Sequence, residues 1–588
     1  MFIKDLLTAP VLGFALALAV SMPAAATATP AAGAAQDTGA EIGKATEGAA
    51  DKAAADVSAA AEKAAAEAGK GAQAPAPLAA AAAAEAKSSS TADHSKFEEL
   101  EIDFKSGPEV TLACLKCHTE AAKQIHKTQH WTWEYTNPDT GQKLGKKHVI
   151  NNFCTSVKSN NTFCSACHIG YGWADDGFDF SSEANVDCIV CHDTTGTYKK
   201  LPGLSGHPNY ETMEWPPHSG KFRPPTDLKK IAQNVGPTSR KTCGTCHFYG
   251  GGGDAVKHGD LDSSLTNPGR YLDVHMDSEG LNFTCSRCHV TDEHEVSGSR
   301  YKPTASDEKG ARVPGSLDPR NPTTCVACHG NTPHPDKMAK LNDHTRKLAC
   351  QTCHIPAYAR STLQTKMSWD WSTAGKLDEQ GQRIQLKNSA GKVVYDSKKG
   401  TFSYDRYVVP EYQWFNGKVN FTLFGDKVSE DSVVKINEFQ GDANDPDARI
   451  WPVRVFRGKQ MYDKGLQTLA VLHTAGDDDA AFWGNYDWDK AMEVGMHSAG
   501  SEYSGEFGFV STEMSWPITH MVSPKEDALE CEDCHSDAGR LAGIEGIYLP
   551  ARDRMTLIDT IGFAVALLAL IGVLIHGGIR AILAKREG

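Results

Sequence analysis

Eight copies of the pattern Cys-x-x-Cys-His run through this chain, and they leave little freedom in how it can fold. Their first cysteines are Cys114, Cys164, Cys188, Cys243, Cys285, Cys325, Cys350 and Cys531. Their second cysteines are Cys117, Cys167, Cys191, Cys246, Cys288, Cys328, Cys353 and Cys534. The histidines that follow are His118, His168, His192, His247, His289, His329, His354 and His535. Two thiols and an adjacent imidazole are what covalent attachment of a c-type haem requires, the histidine being an axial ligand. Zinc ribbons and disulfides do not need a histidine after every second cysteine. Eight haems would then supply much of the core, with short helices and long, turn-rich loops between them.

The chain has 17 cysteines in 588 residues, so Cys154 alone is left outside the motifs. It stands ten residues before Cys164 in "NNFCTSVKSNNTFCSACH". Of the 23 histidines, those outside the motifs are a reservoir of second axial ligands. Candidates are His126, His130, His148, His218, His258, His275, His294, His334, His344, His473, His497 and His520. Spacing does not single out a set; His130, His258, His275, His294, His344, His497 and His520 are put forward as ligands. The formal net charge of −14, without basic blocks, excludes nucleic acid as a partner.

Composition divides the chain. Residues 1–26 read as a signal peptide: Lys4, an apolar stretch, then a small-residue cleavage site. Residues 27–95 are Ala-rich and lack large apolar side chains, which predicts a disordered tether. Residues 96–360 carry seven motifs. Residues 361–550 carry the eighth and alternating segments, "KVVYDSKKGTFSYDRYVV" and "GKVNFTLFG", that predict β-hairpins. The expected fold class is mainly α and irregular, organised around eight stacked haems, with some β-hairpins in 360–480. Residues 551–588 hold an apolar run long enough to cross a bilayer, followed by Arg580, Lys585 and Arg586. This predicts a protein on the periplasmic side of a bacterial inner membrane, held by a C-terminal helix. A quinol-linked or cytochrome electron donor fits that location, and a homo-oligomer is compatible with it.

Several stretches resemble the octahaem tetrathionate reductases. They are "NNFC" with a motif ten residues on, "GYGW", "NVDCIVCHDTTG", "TCGTCHFYGGGGDAVKHGDLD" and "CQTCHIPAYAR" with "WDWSTAG". The resemblance runs over roughly residues 97–539; the tether and the anchor lie outside it. It implies a catalytic iron at the second motif, attached at Cys164 and Cys167 with His168 as axial ligand. It implies Lys257 on that iron's other face, with Asp254 and Cys154 beside it. A small inorganic anion would be the substrate, tetrathionate being reduced to thiosulfate. Nitrite or hydroxylamine reduction is the alternative chemistry, and a non-catalytic electron conduit the alternative class. A thiolate at Cys154 can attack the central S–S bond of tetrathionate, or only line the pocket. Lys147, Lys158, Arg240 and Lys241 are candidates for attracting the anion.

Overall fold

Residues 92–217, 219–301, 323–550, 552–553 and 555–586 are described by the computed structural model. The signal segment, nearly all of the Ala-rich tether and His218 lie outside them. Between 92 and 360 the helices are short, and most of them carry a motif. Motif 1 closes the helix Gly107–Leu115, motif 4 lies in Arg240–His247, and motif 7 forms Cys350–His354. The helical turn has a purpose here. Residues i and i+3 share a helix face, so both cysteines of a motif point toward one macrocycle. The turn is closed by the histidine N–H donating to the carbonyl of the first cysteine: His118 to Cys114 at 2.9 Å, His289 to Cys285 at 2.9 Å, His535 to Cys531 at 2.8 Å.

The region after residue 360 is more β-rich than the sequence suggests. A nine-stranded sheet contains β1 (Thr365–Asp370), β2 (Gln385–Lys387), β3 (Val393–Asp396), β4 (Gly400–Asp405), β5 (Glu411–Phe415), β6 (Val434–Lys435), β7 (Arg449–Asp463), β8 (Thr468–Leu469) and β9 (Phe507–Pro517). Its order is β6-β9-β7-β1-β4-β3-β2, with β5 and β8 also on β7. The expected hairpin at "VVYDSKKGTFSYD" is present, Asp396 facing Gly400. "GKVNFTLFG" does not close locally; Val419–Phe421 pairs with Asn437–Phe439. The fold is therefore mixed helix and strand. The sequence hides this because β7 carries Arg454, Arg457 and Lys459 among its apolar residues, which breaks strict alternation. Its partner β9 lies some fifty residues away and pairs with it from Val453↔Pro517 to Asp463↔Phe507.

The sheet core includes Trp369, Phe415, Phe456 and Trp516, with Cys154 packed at its margin. A second core gathers Val110, Trp131, Tyr171, Ile189 and Ile231 around motifs 1 and 3. The last element is the helix Thr556–Arg586, with its side chains exposed. It is long and apolar enough to cross a membrane.

Candidate functional site

Six of the motif histidines face a second histidine. Ring centres lie 6.3 Å apart for His94 and His118, 6.1 Å for His130 and His247, and 6.0 Å for His275 and His329. They lie 6.3 Å apart for His289 and His520, 6.2 Å for His334 and His354, and 6.2 Å for His344 and His535. A metal bonded to one nitrogen of each ring at about 2 Å per bond places ring centres about 6 Å apart. His294 lies beside His192 and His118, with Nδ1 on Gln124 Oε1 at 2.7 Å. Among the motif histidines, His192 and His289 direct Nδ1 to the carbonyls of Gly236 and Ser297, each at 2.9 Å. This leaves Nε2 free for a metal.

A continuous cavity of ≈3400 Å³ is lined by cysteines of motifs 2 to 7. An ordinary ligand pocket holds about 300–1,000 Å³. The donor set, the ring spacing and this volume fit covalently held haem. Contacts between cysteines of different motifs order the sites. Cys114 touches Cys188, Cys167 touches Cys246, Cys243 touches Cys285, and Cys325 touches Cys350. Cys191 neighbours Cys243, Cys288 neighbours Cys328, and Cys353 neighbours Cys534. The sites thus run 1-3-4-5-6-7-8, with site 2 branching from site 4.

Site 2 differs locally from the sites just described. Its helix ends at Cys164, a 3-10 turn covers Ser165–Cys167, and His168 is extended at φ −80°, ψ 142°. The His168 N–H donates to Ser165, not to the first cysteine. The imidazole sits among Trp131, Trp133, Trp173, Phe178 and Phe180. Its Nε2 is committed to the Trp131 carbonyl at 2.7 Å, and its buried Nδ1 has no partner. In this respect His168 differs from His192 and His289, whose Nδ1 atoms make the backbone contact.

The structure is similar to that titled "Crystal structure of octaheme cytochrome c from Shewanella oneidensis", with a TM-score of 0.66 and 43% identity, covering 78% of this chain and 97% of that one. The chain belongs to the octahaem cytochromes c. The family described as "Cytochrome c554 and c-prime" matches residues 113–193, and "Cytochrome c bacterial" matches 366–538. An uncharacterized protein of Archaeoglobus fulgidus is 26% identical over 271 residues, 39% of this chain and 88% of that one.

In this octahaem cytochrome, site 2 brings Lys257 and Cys154 to the two cysteines of one motif. Lys257 is close enough to Cys167 to be felt there, and Cys154 is close to Cys164. Lys257 is part-buried in the cavity wall, and its amine is held well below the usual lysine range, first by desolvation and then by the charges of Arg300 and Lys146. The four glycines that follow motif 4 make this placement possible. A Cβ on Gly250 would stand 2.8 Å from Lys257 Cδ. One on Gly251 would stand 2.9 Å from the Phe153 ring, and Gly251 has φ +77°. The loop is therefore wrapped tightly over both the lysine stem and the residue preceding Cys154. Gly250→Val is expected to displace Lys257 and lower any Lys257-dependent activity by about tenfold or more, with the spectra of the other seven haems unchanged.

Fully buried Arg454 donates to the carbonyls of Val256, Lys257 and Lys366, fixing two lysine-bearing segments to β7. Opposite it in register is Trp516. That indole carries Lys257 Nζ at 5.4 Å and Arg300 at 5.1 Å. Lys366 is buried, close to Cys154, with its amine well below the usual range through burial.

The remaining sequence expectations divide clearly. Asp254 accepts from Ser263 N at 3.0 Å and from the Ser263 hydroxyl, so Ser263 holds its carboxylate. His258 packs on Trp516 at 5.0 Å, and His497 is exposed on the helix Trp488–Ser498. The structure brings neither face to face with a motif histidine among the described residues. His126 stacks on Trp131, His148 meets Glu134, and His473 meets Ser159 and Asp478. Lys158 donates to Ala499, Arg240 to Met276 and Asn282, and Lys147 lies over Phe180. Lys241 lines the cavity. The cations nearest Lys257 and Cys154 are instead Lys146, Arg300 and Lys366, which sequence reasoning missed, together with His94 and Trp516.

Behind site 2 lies a buried ion pair. Lys200 and Asp187 are 3.0 Å apart, with side chains 1% and 0% exposed. Lys200 also donates to the carbonyls of His168 and Gly170, while Tyr171 and Tyr198 donate to Asp187. Asp187→Ala would leave a buried ammonium unpaired. It is expected to destabilise the protein by about 3–5 kcal/mol, read as a shifted denaturant midpoint.

Proposed function

We propose that this octahaem cytochrome reduces a small inorganic anion at site 2, with tetrathionate as the favoured substrate. The observation that carries the reading is the placement of the Lys257 amine beside Cys167, its pKa held low by desolvation, with Cys154 beside the other cysteine of the same motif. The other seven motif histidines have a neighbouring imidazole that can close the sixth position; site 2 has a lysine. Haem supplies one-electron transfer and a Lewis-acidic metal when bound.

The chain's own residues do the rest. Neutralising an ordinary lysine at pH 7 costs about 4–5 kcal/mol, and desolvation beside Arg300 and Lys146 lowers that cost in the fold. A neutral amine is a competent metal ligand. Lys146, Arg300 and Lys366 offset the charge of an entering anion. In the thiol route, Cys154 sulfur attacks one central sulfur of tetrathionate. The S–S bond breaks, thiosulfate leaves, and a Cys154–thiosulfate disulfide remains. Two electrons then cleave that disulfide, releasing the second thiosulfate and restoring the thiolate.

The test is turnover of the purified protein with tetrathionate, nitrite and hydroxylamine in parallel, under one electron donor. Tetrathionate turnover that is lost in Cys154→Ala supports the thiol route. Full activity in that variant excludes nucleophilic attack. Turnover of nitrite and hydroxylamine alone would reassign the substrate, and none with any of the three would leave an electron conduit.

A further inference from the structure

Site 8 ends the row of sites and is also the one joined to the apolar helix. Neither Cys531 nor Cys534 lines the central cavity, and Cys531 is exposed. The chain leaving this site does not run free to the helix. Arg540 N–H donates to Asp533 at 2.7 Å, and the Arg540 guanidinium to the carbonyl of Pro356. Leu541, Ile544 and Leu549 are buried against Ile450, with Cys534 at the edge of the same cluster. Trp414 Nε1 donates to Glu545 at 3.0 Å. Arg552 gathers the carbonyls of Leu541, Ala542, Ile544 and Ile547 and pairs with Asp553 at 2.7 Å. Asp553 in turn accepts from Leu549 N at 2.6 Å. A packed strap therefore links Cys534 to Asp553. The helix begins at Thr556, and three residues of chain reach at most about 11 Å.

A fixed strap and a short connection hold site 8 near the membrane surface if the helix spans it. A soluble electron carrier would need no such restraint. We propose that site 8, built from His344 and His535, is the electron entry port, and that it docks against a membrane-embedded, quinol-oxidising donor. Oxidation of one quinol to quinone releases two protons and two electrons. The electrons enter at site 8 one at a time and pass along 7-6-5-4 to the branch at site 2. Two electrons are what cleavage of one S–S bond consumes. The proposal rests on the anchor, not on the identity of the anion.

The test uses the full-length holoprotein in membrane vesicles of its producing cell, with a membrane-soluble quinol and no anion present. Haem reduction is followed by absorbance. A flexible 30-residue Gly/Ser insertion between Asp553 and Thr556 has an end-to-end reach of about 30 Å. It is expected to slow quinol-driven reduction at least tenfold, while reduction by a small soluble viologen is unchanged. A second chain, with its apolar span moved from the C-terminus to precede Asp93, is expected to stay slow. An unchanged rate after insertion, full recovery with the moved span, or release of the wild type by alkaline washing would each overturn the proposal. Failure of the reductase reading appears separately, as absent anion turnover with viologen.

Discussion

Lys257→Ala is expected to lower turnover of the anion substrate by about 100-fold or more. Groups that merely orient a metal ligand are worth 10–100-fold, and Lys257 is placed here as the ligand itself. The variant removes the amine that stands beside Cys167 at site 2 and is held well below the usual lysine range. Its stability should change little, because Lys257 is only part-buried at the cavity wall and pairs with no carboxylate among the described residues. The spectra of the other seven haems should persist while one site changes. Lys257→His is informative in the opposite sense. An imidazole binds more firmly than a displaceable amine, so exogenous ligands should compete poorly and turnover should fall with the protein fully folded. If both variants turn over at the wild-type rate, Lys257 is not on the iron.

Blocking covalent haem attachment is expected to prevent folding altogether. The cavity of ≈3400 Å³ is lined by residues from six of the motifs. Unfilled core volume costs about 24 cal/mol per Å³, so leaving even a tenth of this space empty would cost about 8 kcal/mol. That equals the whole stability of an ordinary domain, about 5–15 kcal/mol. Chain produced without haem maturation should show little fixed tertiary structure by near-ultraviolet circular dichroism and be degraded rapidly. Native-like tertiary signals in that material would show that the sheet core around Phe456 and Trp516 holds the fold by itself.

The attachment sites were legible because CxxCH is a local pattern whose chemistry needs only neighbours in sequence. Pairing was not, because each partner imidazole arrives from elsewhere in the chain. His520 stands eleven residues before the last motif in sequence, yet the structure sets it against His289. His94 was read as the end of the tether, yet it lies in a 3-10 turn and stacks toward His118. Its neighbours "FEEL" carry the first large apolar residues after the Ala-rich run, a signal that the boundary belongs before it. His258 packs on Trp516 and His497 is exposed, and spacing in the sequence carries neither placement. His168 carried a complete motif, and nothing in "CSACH" says that its backbone extends and its Nε2 turns to Trp131. Arg454 and Trp516 are invisible without the β7–β9 register that sets them opposite one another. The resemblance pointed to Lys257, Cys154 and Asp254 together; the structure gathers the first two about site 2 and gives Asp254 to Ser263.

The central claim is that one iron of eight, at Lys257, exchanges ligands. The most direct measurement is the stoichiometry of cyanide binding to the purified ferric protein, followed by absorbance and electron paramagnetic resonance. The account predicts one equivalent per chain, with the signal that changes being the one altered by Lys257→His. Zero equivalents in the wild type, or one equivalent whose site is untouched by Lys257→His, would contradict it.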